Sequence, residues 1–499
     1  MPTVKTLLRK LDLGASVAEF DDALEEYFVE TETFRQLAAD RVDFVAGDKG
    51  TGKTAIYKIL QKRYTQLKNL HNVEVVPAFN PMGSPIFSQL GERPTQSEGE
   101  YIKLWKSYFL ALAGNWLLDV WSGSWTEDMK QLDLLLKGLR IRNESLEPKD
   151  IFTRIQTQIG KFFNWRSAEI EYTQSPDGKF TFRPKLEFGK EEESELDIDV
   201  SRAFDLLHKC FVAADLVIWI AMDRLDEAFQ GYPEIEIPAL RALFRTYLDL
   251  GGYPHVKIKL FVRRDLFRRI TDGGFVNLTH INARKIDLLW DDEDLLNLLC
   301  RRIRKNTEFC SSANLENLPD NDLFYKVFPP QVDVGKRKPR TWVWIIRRIR
   351  DGNDIKAPRN LIDLISFAQQ AQLRQEDREE REYADGGVII AADPLRRALG
   401  QLSEQRVNDT LLAESRLLAP MIEAFRGGKA EHNESSLSEV LEVPAADVRQ
   451  KIKPLLEAGF LEDIKGTYKI PALFRGGLEI TLGKAFDGDV MEDEDESSD

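Results

Sequence analysis

An α/β fold with a largely parallel sheet, followed by a helical region and a small helix–hairpin module, is predicted by three features of this sequence. Short apolar runs ending in glycine or a carboxylate alternate with helical stretches through the first half of the chain. One run leads into a glycine-rich loop and straight on into a helix, the context of a phosphate cradle. From Leu288 the periodicity turns helical and stays so to about Gln372.

Taken in order, Ala18 to Ala39 reads as a helix that would turn Phe20, Leu24, Phe28 and Phe34 inward. Val42 to Ala46 is a buried-strand run stopped by Gly47, and Thr54 to Leu67 follows as a helix with Ile56, Ile59 and Leu60 on one face. Val73 to Phe79 is the next strand. A loop rich in Gly, Pro and Ser then runs to about Gly99, before an apolar helix from Leu104 to Val120. Residues 165–200 break the pattern: Ile170, Tyr172, Phe180, Phe182, Leu186 and Phe188 alternate around Pro176-Asp177-Gly178, which predicts an inserted β-hairpin. Strands return at Leu216–Met222 and Val256–Val262 with the helix Ile237–Asp249 between them.

The expected division is an α/β core over 1–285, a helical lid over 286–390, a winged-helix-like module over 391–480 and an acidic tail over 481–499. The 499 residues carry a formal net charge of −14, yet the tail sets eight acids against Lys484 alone and so holds half of it. The body is only mildly acidic, and local basic patches remain compatible with it. Cys210, Cys300 and Cys310 have no CxxC spacing and no histidine cluster nearby, which suits a reducing compartment and argues against zinc or a disulfide framework. His71, His208, His255, His280 and His432 are scattered and read as structural. No apolar stretch approaches the roughly 20 residues that span a bilayer, and a cytoplasmic location without membrane contact is expected.

Gly47-Asp48-Lys49-Gly50-Thr51-Gly52-Lys53-Thr54 fits GxxxxGK[ST] in full. Glycines let successive backbone N–H groups turn toward phosphate oxygens, and the helix N-terminus adds a favourable dipole. Lys53 would reach the β- and γ-phosphates of ATP, and the Thr54 hydroxyl would bind Mg²⁺. Downstream, Val217–Met222 ends in Asp223-Arg224-Leu225-Asp226-Glu227. An apolar strand delivering a carboxylate at its carboxyl edge makes Asp223 the Mg²⁺ candidate. Asp226 or Glu227, one short turn on, is expected to orient or deprotonate the attacking water. Arg263 and Arg264 at the end of the following strand, and Arg359 opening a helix in the next domain, are the candidate cations for the γ-phosphate. Surface ion pairs are the alternative reading for all three.

Near the carboxyl end, LSEVLEVPAADVRQKIKPLLEAGFLEDIKGTYKI has a helix–turn–helix–wing rhythm. Arg449, Lys451, Lys453, Lys465 and Lys469 would suit phosphates, whereas Asp447, Glu457, Glu462 and Asp463 dilute the field and Pro454 is expected to interrupt the second helix. A second basic segment, Lys336 to Arg340, stands beside Trp342 and Trp344 and is a candidate for an anionic ligand.

Leu13-Gly14 with Ala18-Glu19, Tyr27 to Thr31, GDKGTGKTAI, MDRLDEAF, FVRRDLFRRI, APRNLI and Tyr468 to Arg475 resemble a family of bacterial P-loop ATPases of the AAA+/STAND-like group. The resemblance covers most of the chain apart from the insertion and the tail. It implies Lys53 and Thr54 as the Walker A pair, Asp223 as the Walker B aspartate, Asp226 or Glu227 as the hydrolytic carboxylate and Arg359 as a sensor arginine. The spacing DRLDE departs from the adjacent Asp-Glu usual in AAA+ proteins and leaves the base open between Asp226 and Glu227. The resemblance also implies an ATP-driven regulatory switch, as a homo-oligomer or with a protein effector, often in defence against phage. A DNA-associated loader or sensor is the alternative, and a nucleotide kinase a more distant one.

Overall fold

The computed structural model describes residues 2–78, 97–139, 141–142, 200–227, 233–384, 387–413 and 418–486. The hairpin expected at 165–200 and the acidic residues from Asp487 lie outside them, Val200 excepted. The chain folds into two compact units. One takes Thr33–Ala46 and Ile56–Ile286; the other takes Met1–Glu32, Gly47–Ala55 and Asp287–Asp499.

The first unit is built on a five-stranded, mostly parallel sheet. Its strands are β1 (Phe44–Gly47), β2 (Val73–Pro77), β3 (Val217–Met222), β4 (Val256–Arg263) and β5 (Lys285–Asp287), in the order β2-β3-β4-β1-β5. β3 runs parallel to β2, with Val75 opposite Trp219, and parallel to β4, with Met222 opposite Leu260. Parallel strands are covered on both faces and so read as near-continuous apolar runs, which is the character of VIWIAM and of most of VKIKLFVR. Three long helices, Glu98–Val120, Val200–Ala214 and Pro233–Asp249, supply the cover. Trp105, Tyr108, Phe109, Phe204, Phe211 and Phe244 bury with Phe44 in one core, each contributing roughly 1.5–3 kcal/mol by the area removed from water. The Trp105 indole N–H is satisfied by the carbonyl of Ala239 at 2.8 Å.

One charge sits inside this core. Lys259 on β4 is fully buried, and its ammonium donates to Asp43 at 2.7 Å, Asp40 at 2.6 Å and the Val42 carbonyl at 3.0 Å while lying 4.0 Å from the Trp219 ring. Arg284 and Tyr247 complete the shell of Asp43 at 2.8 and 2.7 Å. A buried charge without partners would cost several kcal/mol. Here the partners tie β4 to the segment that enters β1.

The second unit has one large apolar core, beside a small cluster of Val29, Leu298 and Ile362. Val4, Leu7 and Leu8 of the amino-terminal helix (Val4–Arg9) join Leu299 and Ile303, Ile345 and Ile349, Leu361 and Ile365, Leu402, Ile452, Phe460 and Tyr468. The expected lid (286–390) and the expected terminal module (391–480) thus draw on the same core. A second, four-stranded sheet joins β6 (Lys429–His432), β7 (Glu462–Ile464), β8 (Thr467–Lys469) and β9 (Thr481–Lys484) in the order β7-β8-β6-β9. Helices Glu434–Val440 and Val448–Glu457 lie between β6 and β7.

Three expectations are corrected. Ala18 to Ala39 is not one helix: a short 3-10 turn at Ala18–Phe20 is followed by turns, and only Glu32–Ala38 is α-helical. The reason is tertiary. Asp21 and Tyr27 bond to each other and close together around the buried Arg302, and residues six apart do not share a helix face. Phe20 consequently points outward, 73 % exposed. The tail does not begin at 481, because Thr481–Lys484 pairs with β6 as β9. Pro454 does not interrupt its helix, which runs on to Glu457 with Ile452 and Leu455 buried.

Candidate phosphate-binding site

β1 ends at Gly47, and the helix Lys53–Arg63 begins six residues later. The loop between them has two glycines in the left-handed region, Gly50 at φ 79° and Gly52 at φ 101°, where any other L-residue would be strained. Thr51 is buried and closes the loop on itself, its hydroxyl donating to the Asp48 carbonyl at 2.8 Å. Lys53 folds back over the loop and donates to the carbonyls of Gly47 and Asp48, both at 2.9 Å. An ammonium held by the loop's own carbonyls is positioned for an anion that the loop N–H groups cradle. Thr54 is the second residue of the helix.

Residues distant in sequence shape the same loop. The Trp290 indole N–H donates to the Thr51 carbonyl at 2.7 Å. A Cβ on Gly47 would fall 2.6 Å from the Thr51 hydroxyl and 3.2 Å from Leu288 Cβ, so glycine is required by space. Gly50 faces the start of the helix Pro358–Glu376: a Cβ there would lie 3.0 Å from Arg359 Cβ and 3.6 Å from Ala357 Cβ, and the Gly50 carbonyl accepts from the Arg359 N–H at 3.4 Å. Arg359 is therefore brought to the loop. Its Nε is buried with no hydrogen-bond partner among the described residues. Asp351 lies on the loop preceding that helix. Burial pushes its carboxyl up to about 6, against the stabilising N–H groups of Ile355 and Asn353, with the charge of Asp48 adding to the rise.

The acids fall in the sheet unit. Asp223 directly follows β3 and is buried. Burial first, and then the Asp223 charge, push the Tyr57 hydroxyl well above its usual value, which places Tyr57 of the glycine-loop helix within electrostatic reach of this carboxylate. Arg224 adopts a left-handed backbone, φ 59°, uncommon for a long side chain, and turns the chain sharply at the strand end. Glu227 is clasped by Arg224 at 2.6 Å. Asp226 stands 3.5 Å from Arg263 of β4, whose guanidinium also grips Asp265 at 3.0 Å. Arg264 begins the helix Arg264–Thr271. The structure thus groups Asp226, Glu227 and Arg263 at the carboxyl ends of two adjacent strands.

The donors suit magnesium. Carboxylate and hydroxyl oxygens are the hard donors that Mg²⁺ takes beside phosphate, and Asp223 and Thr54, each in its own unit, are of that chemistry. Among the described residues no group of three His, Cys, Asp or Glu side chains could hold a metal.

Sequence reasoning missed Trp290, Ala357, Asp351 and Tyr57. Only Tyr57 had a local signal, one turn beyond Lys53. The others reach the loop from more than two hundred residues away.

A glycine loop between a strand and a helix, on a mostly parallel five-stranded sheet, defines a P-loop nucleotide-binding fold. No family model and no curated protein matches the chain. Among solved structures, it is similar to a Walker-type ATPase of Pyrococcus abyssi at 14 % identity and a TM-score of 0.39, covering 95 % of this chain and 100 % of that one. The ORC1 protein of Aeropyrum pernix in complex with DNA gives 13 % and 0.34, over 93 % and 96 % of the two chains. The ORC2 protein of Aeropyrum pernix in ADPNP–ADP complexes gives 13 % and 0.37, over 90 % and 93 %. No helix among the described residues is long and apolar enough to cross a membrane.

Proposed function

We propose that this protein binds Mg²⁺-ATP in the loop Gly47 to Thr54 and hydrolyses it as a regulatory switch. The observation that carries the reading is the meeting of the two left-handed glycines, the looped-back Lys53 ammonium and Arg359 on one short loop. In this reading loop N–H groups and Lys53 hold the β- and γ-phosphates, while Thr54 and Asp223 hold the magnesium. Bound magnesium supplies charge neutralisation on the phosphate oxygens. Asp226 or Glu227 orients the attacking water, and Arg263, Arg264 and Arg359 are the cations for charge developing on the γ-phosphate. Glu227 would have to leave Arg224 to act as base, whereas the ion pair of Asp226 with Arg263 is longer.

A switch requires that nucleotide state reach another part of the chain. The support is local: Arg359 opens a helix whose preceding loop bonds, through the Gly352 N–H, to the Gly459 carbonyl at 2.7 Å, at the turn between helix Val448–Glu457 and β7. We read that helix pair and hairpin as a winged-helix-like module. An oligomer or protein effector, and a role in defence, have the family resemblance as their support.

Phosphate release by the full chain, with and without magnesium, tests the reading. Wild type should hydrolyse ATP only with magnesium, and Lys53→Ala should lose binding and turnover. A Lys53→Ala protein that hydrolyses ATP at the wild-type rate sinks it.

The DNA-associated alternative has one specific observation in its favour. Lys336, Arg337 and Lys338 are exposed and form no ion pair among the described residues, on a loop pinned by Gln331 to the Lys338 carbonyl at 2.6 Å. The hairpin module speaks less for it, since Arg449, Lys453 and Lys469 pair with Glu434, Glu457 and Glu431. Charge reversal at Lys336 and Lys338 should abolish salt-sensitive DNA binding if this surface is used; absence of any DNA binding by wild type rejects it.

A further inference from the structure

Helix Pro358–Glu376 carries Arg359 in its first turn and Asp363 four residues on. Residues at that spacing share a face, and an arginine and an aspartate placed so are free to pair with each other. Here they do not. The Asp363 carboxylate is taken by Arg406, in an ion pair whose side chains are only 13 % and 9 % exposed. Arg359 forms no ion pair among the described residues, and its Nε is buried without a partner. Yet its backbone and Cβ lie against Gly50 of the phosphate loop.

Arg406 reaches Asp363 from the end of another helix, Ala392–Arg406, at the point where the chain passes into a π-helical turn, Val407–Leu412. Such turns are rare and frequent at functional positions. Burial lowers the Arg406 pKa, Asp363 and, more weakly, Asp409 oppose that, and the like charge of Arg359 lowers it again, so the two guanidiniums lie within electrostatic reach of each other. Of the two, Arg406 holds Asp363, and Arg359 is the arginine that touches the loop.

We propose that Arg406 is a positioning residue: by occupying Asp363 it prevents that acid from capturing Arg359, and so keeps Arg359 available to the γ-phosphate of a nucleoside triphosphate. This rests on the reading of the loop as the ATP site. The consequence is selectivity for triphosphate over diphosphate, because the added phosphate is the group Arg359 would serve. Without Arg406, an anionic ligand has to compete with a half-buried carboxylate one helical turn away.

Calorimetric titration of the full chain with Mg²⁺-ATP and Mg²⁺-ADP reads the ratio of the two affinities. Arg406→Gln should lower the ATP/ADP ratio about tenfold, the effect of losing one charge-assisted contact, as should Arg359→Ala. Asp363→Asn/Arg406→Gln should return it to within about twofold of wild type, and Arg406→Lys should leave it unchanged. A merely structural role for Arg406 would not be rescued by removing Asp363. The inference is overturned if Arg406→Gln folds and keeps the wild-type ratio, or if the double variant stays as low as Arg359→Ala. Should Arg406→Gln alone not fold, the double variant decides on the same criterion. If wild type binds neither nucleotide, or Lys53→Ala binds as tightly as wild type, the P-loop reading itself fails and this inference falls with it.

Discussion

Replacing Gly50 by alanine tests how the phosphate loop is held. Gly50 sits at φ 79°, and an added Cβ would lie 3.0 Å from Arg359 Cβ. An L-residue in the left-handed region costs about 1–2 kcal/mol, and the contact adds a shift of Arg359 by a few tenths of an ångström. The substituted loop relaxes toward negative φ and turns its N–H away; phosphate binding must then restore the strained form. A cost of about 1–2 kcal/mol converts to roughly 5- to 30-fold weaker binding. Gly427 provides the control, since it also has positive φ, 71°, but nothing lies within 4 Å of its added Cβ. Titration with Mg²⁺-ATP should therefore show Gly50→Ala weakened by that factor and Gly427→Ala within about twofold of wild type. Equal affinities for Gly50→Ala and wild type would refute both the required conformation and the role of the loop.

Other outcomes follow from the same contacts. Trp290→Phe removes the donor to the Thr51 carbonyl and should weaken ATP binding several-fold, about 0.5–1.5 kcal/mol, with the change read by titration. Asp226→Asn and Glu227→Gln separate the two candidate bases: the one that abolishes phosphate release while preserving ATP binding is the catalytic carboxylate. Asp43, though burial opposes it, is held down to about 2 by the Arg284 hydrogen bond and the Lys259 charge. Because its folded pKa is depressed, its stabilisation is complete above the usual aspartate range and is lost as pH falls toward 2, on the order of 2 kcal/mol; acid unfolding should shift to higher pH in Asp43→Asn. Asp351 behaves oppositely. Burial raises its pKa to about 6, so ionisation between the unfolded value and pH 6 destabilises the native state, and Asp351→Asn should raise the melting temperature above pH 6 and little below pH 4.

Most of the sheet unit was legible in the sequence, because its signals are local. β3 and β4 are apolar runs with carboxylates or arginines at their ends, and burial on both faces enforces that pattern along the strand itself. The amino-terminal segment was misread because its apolar residues have helical spacing, while the decisive partner, Arg302, lies far along the chain. β9 was missed for a similar reason: Thr481–Lys484 is exposed and carries no strand pattern, and the ladder with β6 creates it.

By itself the sequence determined the phosphate loop. GDKGTGKT needs its glycines for backbone freedom and its lysine for charge, and both are properties of residues in immediate succession. Only the tertiary structure decided what stands around it. Trp290, Asp351 and Arg359 reach the loop or its charges through chain folding, and whether Arg359 is free depends on Arg406 holding Asp363. The physical reason is range: backbone geometry is set within a few residues, whereas the balance of charge at a buried site is set by whichever side chains the fold brings together.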